Sequence, residues 1–331
     1  MTAETRTYLK SLRDSKRWNI DLGPLLANGS DVAGIVLHDE FSPLDKARHK
    51  LEKMDDFEIY QTNPTKRFRA IVVDFHRDRV SKRVLLLETG MGSMNASLAI
   101  YELAAGLLDR PLSARRVLKV GTCSGLYAGE RAGTVLVPRY ALADEGATKW
   151  NSLPKNEELG EWLKKRFDEA TKSEATSANP ELTKKWCDHL RKRWPDCLGD
   201  ERGPEWWSSF RNRHDYQPDS ELDAAIWSID NFHGVRSIAP NIYDRMDKWV
   251  TDSHPNRVPV AFENECSSHY SACLRADLKI AAALVVSWSC NHVKSFVLEG
   301  MDTREASVKT SVHDAETDII VEAVNFLLLD E

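Results

Sequence analysis

The string LLLETGMGSMNASLAIYEL places Gly90, Met91 and Gly92 between an apolar run and a helical pattern. Glycines at such a junction let a ligand approach the backbone, and the free N–H groups of the following helix favour an anion or a polar ligand edge. A second apolar run, VLKVGTCSGL, ends in Gly121, Thr122, Cys123, Ser124 and Gly125, and a third, VLVPRYALADEGATKWN, leads into Asp144, Glu145 and Thr148. In VPVAFENECSSHY, Glu263 and Glu265 flank Asn264 between a strand pattern and a helix pattern. Carboxylates there either stabilise a helix start or grip sugar hydroxyls. LVVSWSCNHV stops at Ser289, Cys290, Asn291 and His292, and a histidine so placed equally well satisfies a turn. Each cluster alone fits a plain tight connection. Together, at successive strand ends, they form the pattern of a ligand cleft along the carboxyl edge of an open α/β sheet.

The elements that must position these clusters follow from periodicity. Apolar runs at 32–37, 70–74, 84–87, 117–120 and 134–137 read as strands, separated by helical patterns or polar turns, which predicts an α/β fold. Residues 95–108 carry Leu98, Ile100, Tyr101, Leu103, Ala104, Leu107 and Leu108 at mixed three and four spacing, an amphipathic helix packed on the sheet. Farther on, 258–262 reads as a strand, 265–275 as a helix, 280–288 as a buried strand and 308–329 as a long closing helix. Between Trp150 and Trp207 the β pattern disappears and acids interleave with bases. Of the ten tryptophans, Trp150, Trp162, Trp186, Trp194, Trp206 and Trp207 fall there. We read residues 150–218 as a tryptophan-rich helical insertion within one domain spanning 1–331, with helices near 157–171 and 181–194. Its large side chains need burial, which predicts a lid or an oligomer contact.

Composition bounds the function. The chain has 331 residues, 42% hydrophobic and 29% charged, with a formal net charge of −6, values of an ordinary soluble globular protein. The apolar run at 280–288 is less than half of the roughly 20 residues that cross a bilayer. The polar residues 1–18 hold no signal-peptide core, so a cytoplasmic protein without a membrane partner is expected. A pI near 6.0 gives no strongly basic face for nucleic acid. Six cysteines without a CxxC pair read as reduced thiols, and no metal or cofactor is expected.

The order ETGMG, KVGTCSGL, ADEGAT, FENE and SCNH resembles the nucleoside phosphorylase and nucleosidase family, which includes uridine phosphorylase, hexameric purine nucleoside phosphorylase and methylthioadenosine nucleosidase. The resemblance covers most of the chain outside the tryptophan-rich stretch. It implies a single three-layer α/β/α domain with a twisted mixed central sheet, cleavage of the N-glycosidic bond of a nucleoside or nucleotide, and assembly as a dimer, trimer or hexamer. By the same resemblance Glu265, with Glu263 and Asn264, falls where the family binds ribose hydroxyls. Asn264 replaces the usual methionine. Tyr243 and Ile242 fall where an aromatic stacks on the base, beside Cys123 and Ser124. Asn291 stands where purine-cleaving members carry the aspartate that protonates the leaving base. An amide hydrogen-bonds a base but is no general acid.

The phosphate site departs most from the family pattern. Where phosphorylases carry a glycine and an arginine after the first strand, GIVLHDEFSPLDKAR places His38, Asp39 and Glu40. Lys119 replaces the arginine before VGT. Lys119, Thr122 and the turn amides of Gly90 and Gly92 remain as an anion site, yet carboxylates beside it repel phosphate. In the hydrolytic branch a first-loop glutamate activates water, and Glu40 lies within a residue of that place, next to Asp39. Hydrolysis is therefore favoured over phosphorolysis with an altered phosphate site. A third reading, a nucleotide-binding relative without turnover, stays open. Basic clusters such as Lys184 with Lys185 would serve a nucleotide phosphate only if they faced the site, and interspersed acids mark them as solvated helix faces.

Overall fold

Strands buried on both faces need apolar side chains at every position, and the chain supplies several such runs. The computed structural model describes residues 1–15, 19–20, 22–23, 31–61, 66–77, 80–110, 112–125, 132–133, 135–144, 174–194, 225–229, 261–288 and 306–329. Its strands are β1 (Asp31–His38), β2 (Phe57–Gln61), β3 (Ala70–Arg77), β4 (Val80–Glu88), β5 (Arg116–Gly125), β6 (Val135–Leu136), β7 (Tyr140–Asp144), β8 (Glu174–Ser177), β9 (Ala225–Ile229), β10 (Ala261–Glu263) and β11 (Lys279–Trp288). The helices are α1 (Ala3–Ser15), α2 (Phe41–Leu51), α3 (Ser93–Gly106), α4 (Pro180–Arg191), α5 (Cys266–Ala276) and α6 (Ala306–Leu329). The strands form one 11-stranded mixed sheet in the order β2-β3-β4-β1-β5-β10-β9-β7-β8, with β11 paired to β5 and β6. The centre, β4-β1-β5-β11, is parallel, while β2, β3, β6 and β8 pair antiparallel.

Alternation along β1 divides the core. Val32, Ile35 and Leu37 face the cluster built with α1, α3 and α5, and Ala33 and Val36 face the one built with α2, α4 and α6. Helices thus cover both faces of the sheet, giving the three-layer α/β/α domain expected. The close approach of α6 to β1 depends on Gly34, where a Cβ would lie 2.6 Å from Leu327 Cδ2 and 2.9 Å from the Arg116 carbonyl oxygen. The backbone oxygen cannot swing aside as a side chain can. Gly34→Ala should therefore destabilise the fold by about 1–3 kcal/mol, measured by urea unfolding. A neutral result would mean that α6 and β5 are free to separate.

The five expected strands of the first half are all present, as are the helices at 95–108, 265–275 and 308–329, with shifts of a few residues. The five-residue strands β2, β7 and β9 are not among the expected runs, since FEIYQ, YALAD and AIWSI each break their apolar run with a polar residue. The expected loss of strand pattern after Trp150 is corrected by β8, which extends the sheet through β7. The helix expected near 181–194 is α4, started by Asn179, whose side chain accepts the Leu182 N–H at 2.9 Å, and by Pro180 in the first turn. Its Trp186 is fully buried, 5.2 Å from the Phe326 ring of α6, so this tryptophan is a core residue and no part of a lid. The helix expected at 157–171, with Trp150, Trp162, Trp206 and Trp207, lies outside the described residues. No helix among the described residues is long and apolar enough to cross a membrane.

Candidate functional site

Parallel strands aim their carboxyl ends the same way, and β1, β4, β5 and β11 open together onto a cleft of about 500 Å³. Its wall takes His38, Asp39 and Glu40 from the end of β1, and Thr122, Cys123 and Ser124 from β5. Met91 and Gly92 come from the β4–α3 turn, and Glu263, Asn264 and Glu265 from the β10–α5 junction. Sequence reasoning had these groups; it missed Ser287 and Trp288 at the end of β11, and Lys309, Val312, His313 and Glu316 on α6. The turn after β4 requires its glycines, with φ of 69° at Gly90 and 98° at Gly92. Tyr243, Ile242 and Asn291, expected at the base, and Glu145, Thr148 and His292 lie outside the described residues. Lys184 and Lys185 are exposed on α4 and do not line the cleft.

Beneath the wall is a buried ionic cluster. Lys119, 1% exposed, directs Nζ to both carboxylate oxygens of Asp39 at 2.7 and 2.6 Å, with Glu265 Oε2 at 3.6 Å. Burial disfavours the ammonium, but Asp39 and Glu265 reverse that and hold the Lys119 pKa above its ordinary value. Burial likewise works against the Asp39 carboxylate, and the Lys119 ammonium wins, leaving its pKa lowered. Gly121 keeps the pair accessible to itself, since a Cβ there would stand 3.1 Å from Asp39 Oδ2. An ammonium bonded to both oxygens of a carboxylate is a weakened phosphate ligand, and the carboxylate so paired is a weakened base for water. His269 on α5 is also buried, has neither ring nitrogen hydrogen-bonded among the described residues, and stays neutral, its pKa pulled to about 3 by burial and by Lys119.

The two glutamates of FENE differ. Glu263 accepts from Ser228 Oγ at 2.5 Å and from the backbone N–H groups of Glu265 and Cys266 at 2.6 and 2.8 Å, so it is consumed in capping α5 and tying it to β9. Glu265 Oε1 accepts the Gly92 N–H at 2.8 Å, joining α5 to the glycine turn. Burial and the Asp39 charge push the Glu265 pKa up to about 8, with Lys119 opposing. An acid whose folded pKa is raised stabilises the fold at pH values below its unfolded pKa and loses that contribution as pH rises through the folded value. The melting temperature should accordingly fall between about pH 5 and 8, and Glu265→Gln should flatten that slope. An unchanged slope in the variant would assign the effect to another group. Beside Glu265, Asn264 Oδ1 is buried with no hydrogen-bond partner among the described residues.

Glu40 differs from Asp39 in every respect that matters to a base. It is exposed, lines the cleft and occupies the N-cap of α2 without a side-chain capping bond. Its backbone N–H donates to His38 Nδ1 at 2.9 Å. His38 Nε2 meets Glu316 Oε1 at 3.1 Å, and Glu316 Oε2 meets His313 Nδ1 at 3.1 Å. Burial lowers the His38 pKa and Glu316 raises it, for a net rise; the Glu40 N–H at Nδ1 favours the neutral ring and works against that rise. Among the described residues, no group of three or more His, Cys, Asp and Glu side chains is arranged to hold a metal ion.

No protein-family model matches this chain, and no curated protein matches its sequence. Its fold is nevertheless found among solved structures. The uridine phosphorylase of Vibrio fischeri ES114, crystallised with 6-hydroxy-1-naphthoic acid, aligns over 88% of this chain and 91% of its own with a TM-score of 0.54 at 14% identity. The chain has a nucleoside phosphorylase-like fold.

Proposed function

We propose that this protein cleaves the N-glycosidic bond of a nucleoside or nucleotide and releases the free base, with water as the acceptor. The uridine phosphorylase fold supports the bond class, and the cleft lies at the carboxyl edge of the sheet, where open α/β sheets bind ligands. The observation that carries the choice of water is the commitment of Lys119 to Asp39: the cation that would clamp phosphate is buried and neutralised. In this reading Glu40 accepts a proton from the attacking water as the C–N bond breaks, and the departing base nitrogen takes up a proton from solvent. Glu265 and the buried Asn264 oxygen receive sugar hydroxyls and hold the ribose as the bond to the base breaks through an oxocarbenium-like transition state. Thr122, Cys123 and Ser124 line the cleft beside the base. Homo-oligomeric assembly belongs to the same proposal.

The test is chromatography of products from a nucleoside and nucleotide panel, incubated with and without phosphate. Base release at equal rates in both buffers is expected. Strict phosphate dependence would establish phosphorolysis instead, and tight binding without release would establish a binding protein.

A further inference from the structure

We propose that His38 is the positioning residue that holds Glu40 toward the cleft, with Glu316 and, through it, His313 fixing the His38 ring. This deepens the reading of Glu40 as the base and rests on it. The proton inventory along the chain of contacts is unambiguous at one end. A backbone N–H only donates, so His38 Nδ1, 2.9 Å from the Glu40 nitrogen, must present its lone pair. The ring proton of neutral His38 then sits on Nε2 and is donated to Glu316 Oε1 at 3.1 Å. Glu316 is 2% exposed and its second oxygen faces His313 Nδ1 at 3.1 Å, while the His313 ring is half exposed on the cleft wall. Each group fixes the next, from α6 to the first loop.

The local sequence explains why Glu40 is left for the cleft. An N-cap side chain ordinarily accepts the N–H of the second or third helical residue. In α2 these are Ser42 and Pro43, and proline has no N–H to offer. Glu40 makes no capping bond, with φ −120° and ψ 148°, so its backbone, rather than its carboxylate, is what must be anchored. His38 supplies that anchor from within the same turn.

Two substitutions separate the two faces of the ring. In His38→Asn the amide oxygen takes the place of Nδ1 and keeps the Glu40 bond; in His38→Gln the amide nitrogen takes the place of Nε2 and keeps only the Glu316 bond. Base release in phosphate-free buffer and hydrogen exchange of the Glu40 amide are measured on both. His38→Gln should lower kcat roughly 30–100-fold with KM changed less than about threefold, and lose Glu40 amide protection, whereas His38→Asn should lose less than about fivefold and keep it. In a Glu40→Gln background, His38→Gln should cost less than about threefold more, since both act through one carboxylate. Equal losses in the two His38 variants, full additivity with Glu40→Gln, or retained protection in His38→Gln would overturn the proposal. If the unsubstituted protein releases no base without phosphate, the hydrolase reading fails alone, and amide protection still decides whether His38 positions Glu40. Should His38→Gln not fold, His38→Leu removes the acceptor that faces the Glu40 N–H and should reduce Glu40 protection at least about tenfold; unchanged protection there overturns the proposal as well.

Discussion

Glu40→Gln should lower base release in phosphate-free buffer by about 10²–10⁴-fold, the usual worth of a positioned general base, with KM changed only a few-fold. The amide keeps the size and hydrogen-bonding edge of the side chain but cannot accept the proton of attacking water. Stability should not change, because the carboxylate is exposed and makes no capping bond to α2. That combination separates Glu40 from its neighbour: Asp39→Asn removes a partner of buried Lys119 and should reduce stability and turnover together. Steady-state rates and a thermal melt on the two variants make the comparison. Undiminished release by the Glu40 variant would remove it from the chemistry.

Lys119→Met should destabilise the protein by about 3–5 kcal/mol at neutral pH, the cost of leaving the Asp39 carboxylate without its cation. The methionine fills most of the lysine volume, so the loss is electrostatic rather than a packing void. Asp39 can escape by taking up a proton, and the loss should shrink as pH is lowered toward 5. Lys119→Met combined with Asp39→Asn should be more stable than the sum of the single losses predicts, as contacting residues are coupled. Urea unfolding at several pH values reads both effects. A loss below about 1 kcal/mol would mean that the cluster is solvated and contributes little.

Much of the frame was legible because it is written in local pattern. The runs that became β1, β4, β5 and β11 are apolar on both faces, and the glycine turn before α3 announces itself by Gly90 and Gly92. FENE was legible as a site but not as two different roles, since only the fold shows Glu263 bonded to Ser228 and the start of α5 while Glu265 reaches Gly92. Lys119 within VLKV carried a warning: a lysine in a buried strand needs a counter-ion, yet which carboxylate answers is a tertiary fact. The contribution of α6 was invisible for the same reason. His313 and Glu316 look like an ordinary i, i+3 pair on an exposed helix until α6 packs beside β1.

The bond between His38 and Glu316 spans 278 positions of sequence. Closing so long a loop costs little more than closing one half its length, about 0.6 kcal/mol, but the contact becomes possible only when the intervening strands have already paired. A nascent chain must therefore be synthesised through residue 316 before the first loop can be secured, although Glu40 and its helix emerge near the start. The anchoring of the first loop on α6 is consequently a late event in the folding of each molecule. Lys119 is in the same position, for its strand is flanked by β11 and its Nζ lies 3.6 Å from Glu265, both supplied from beyond residue 260.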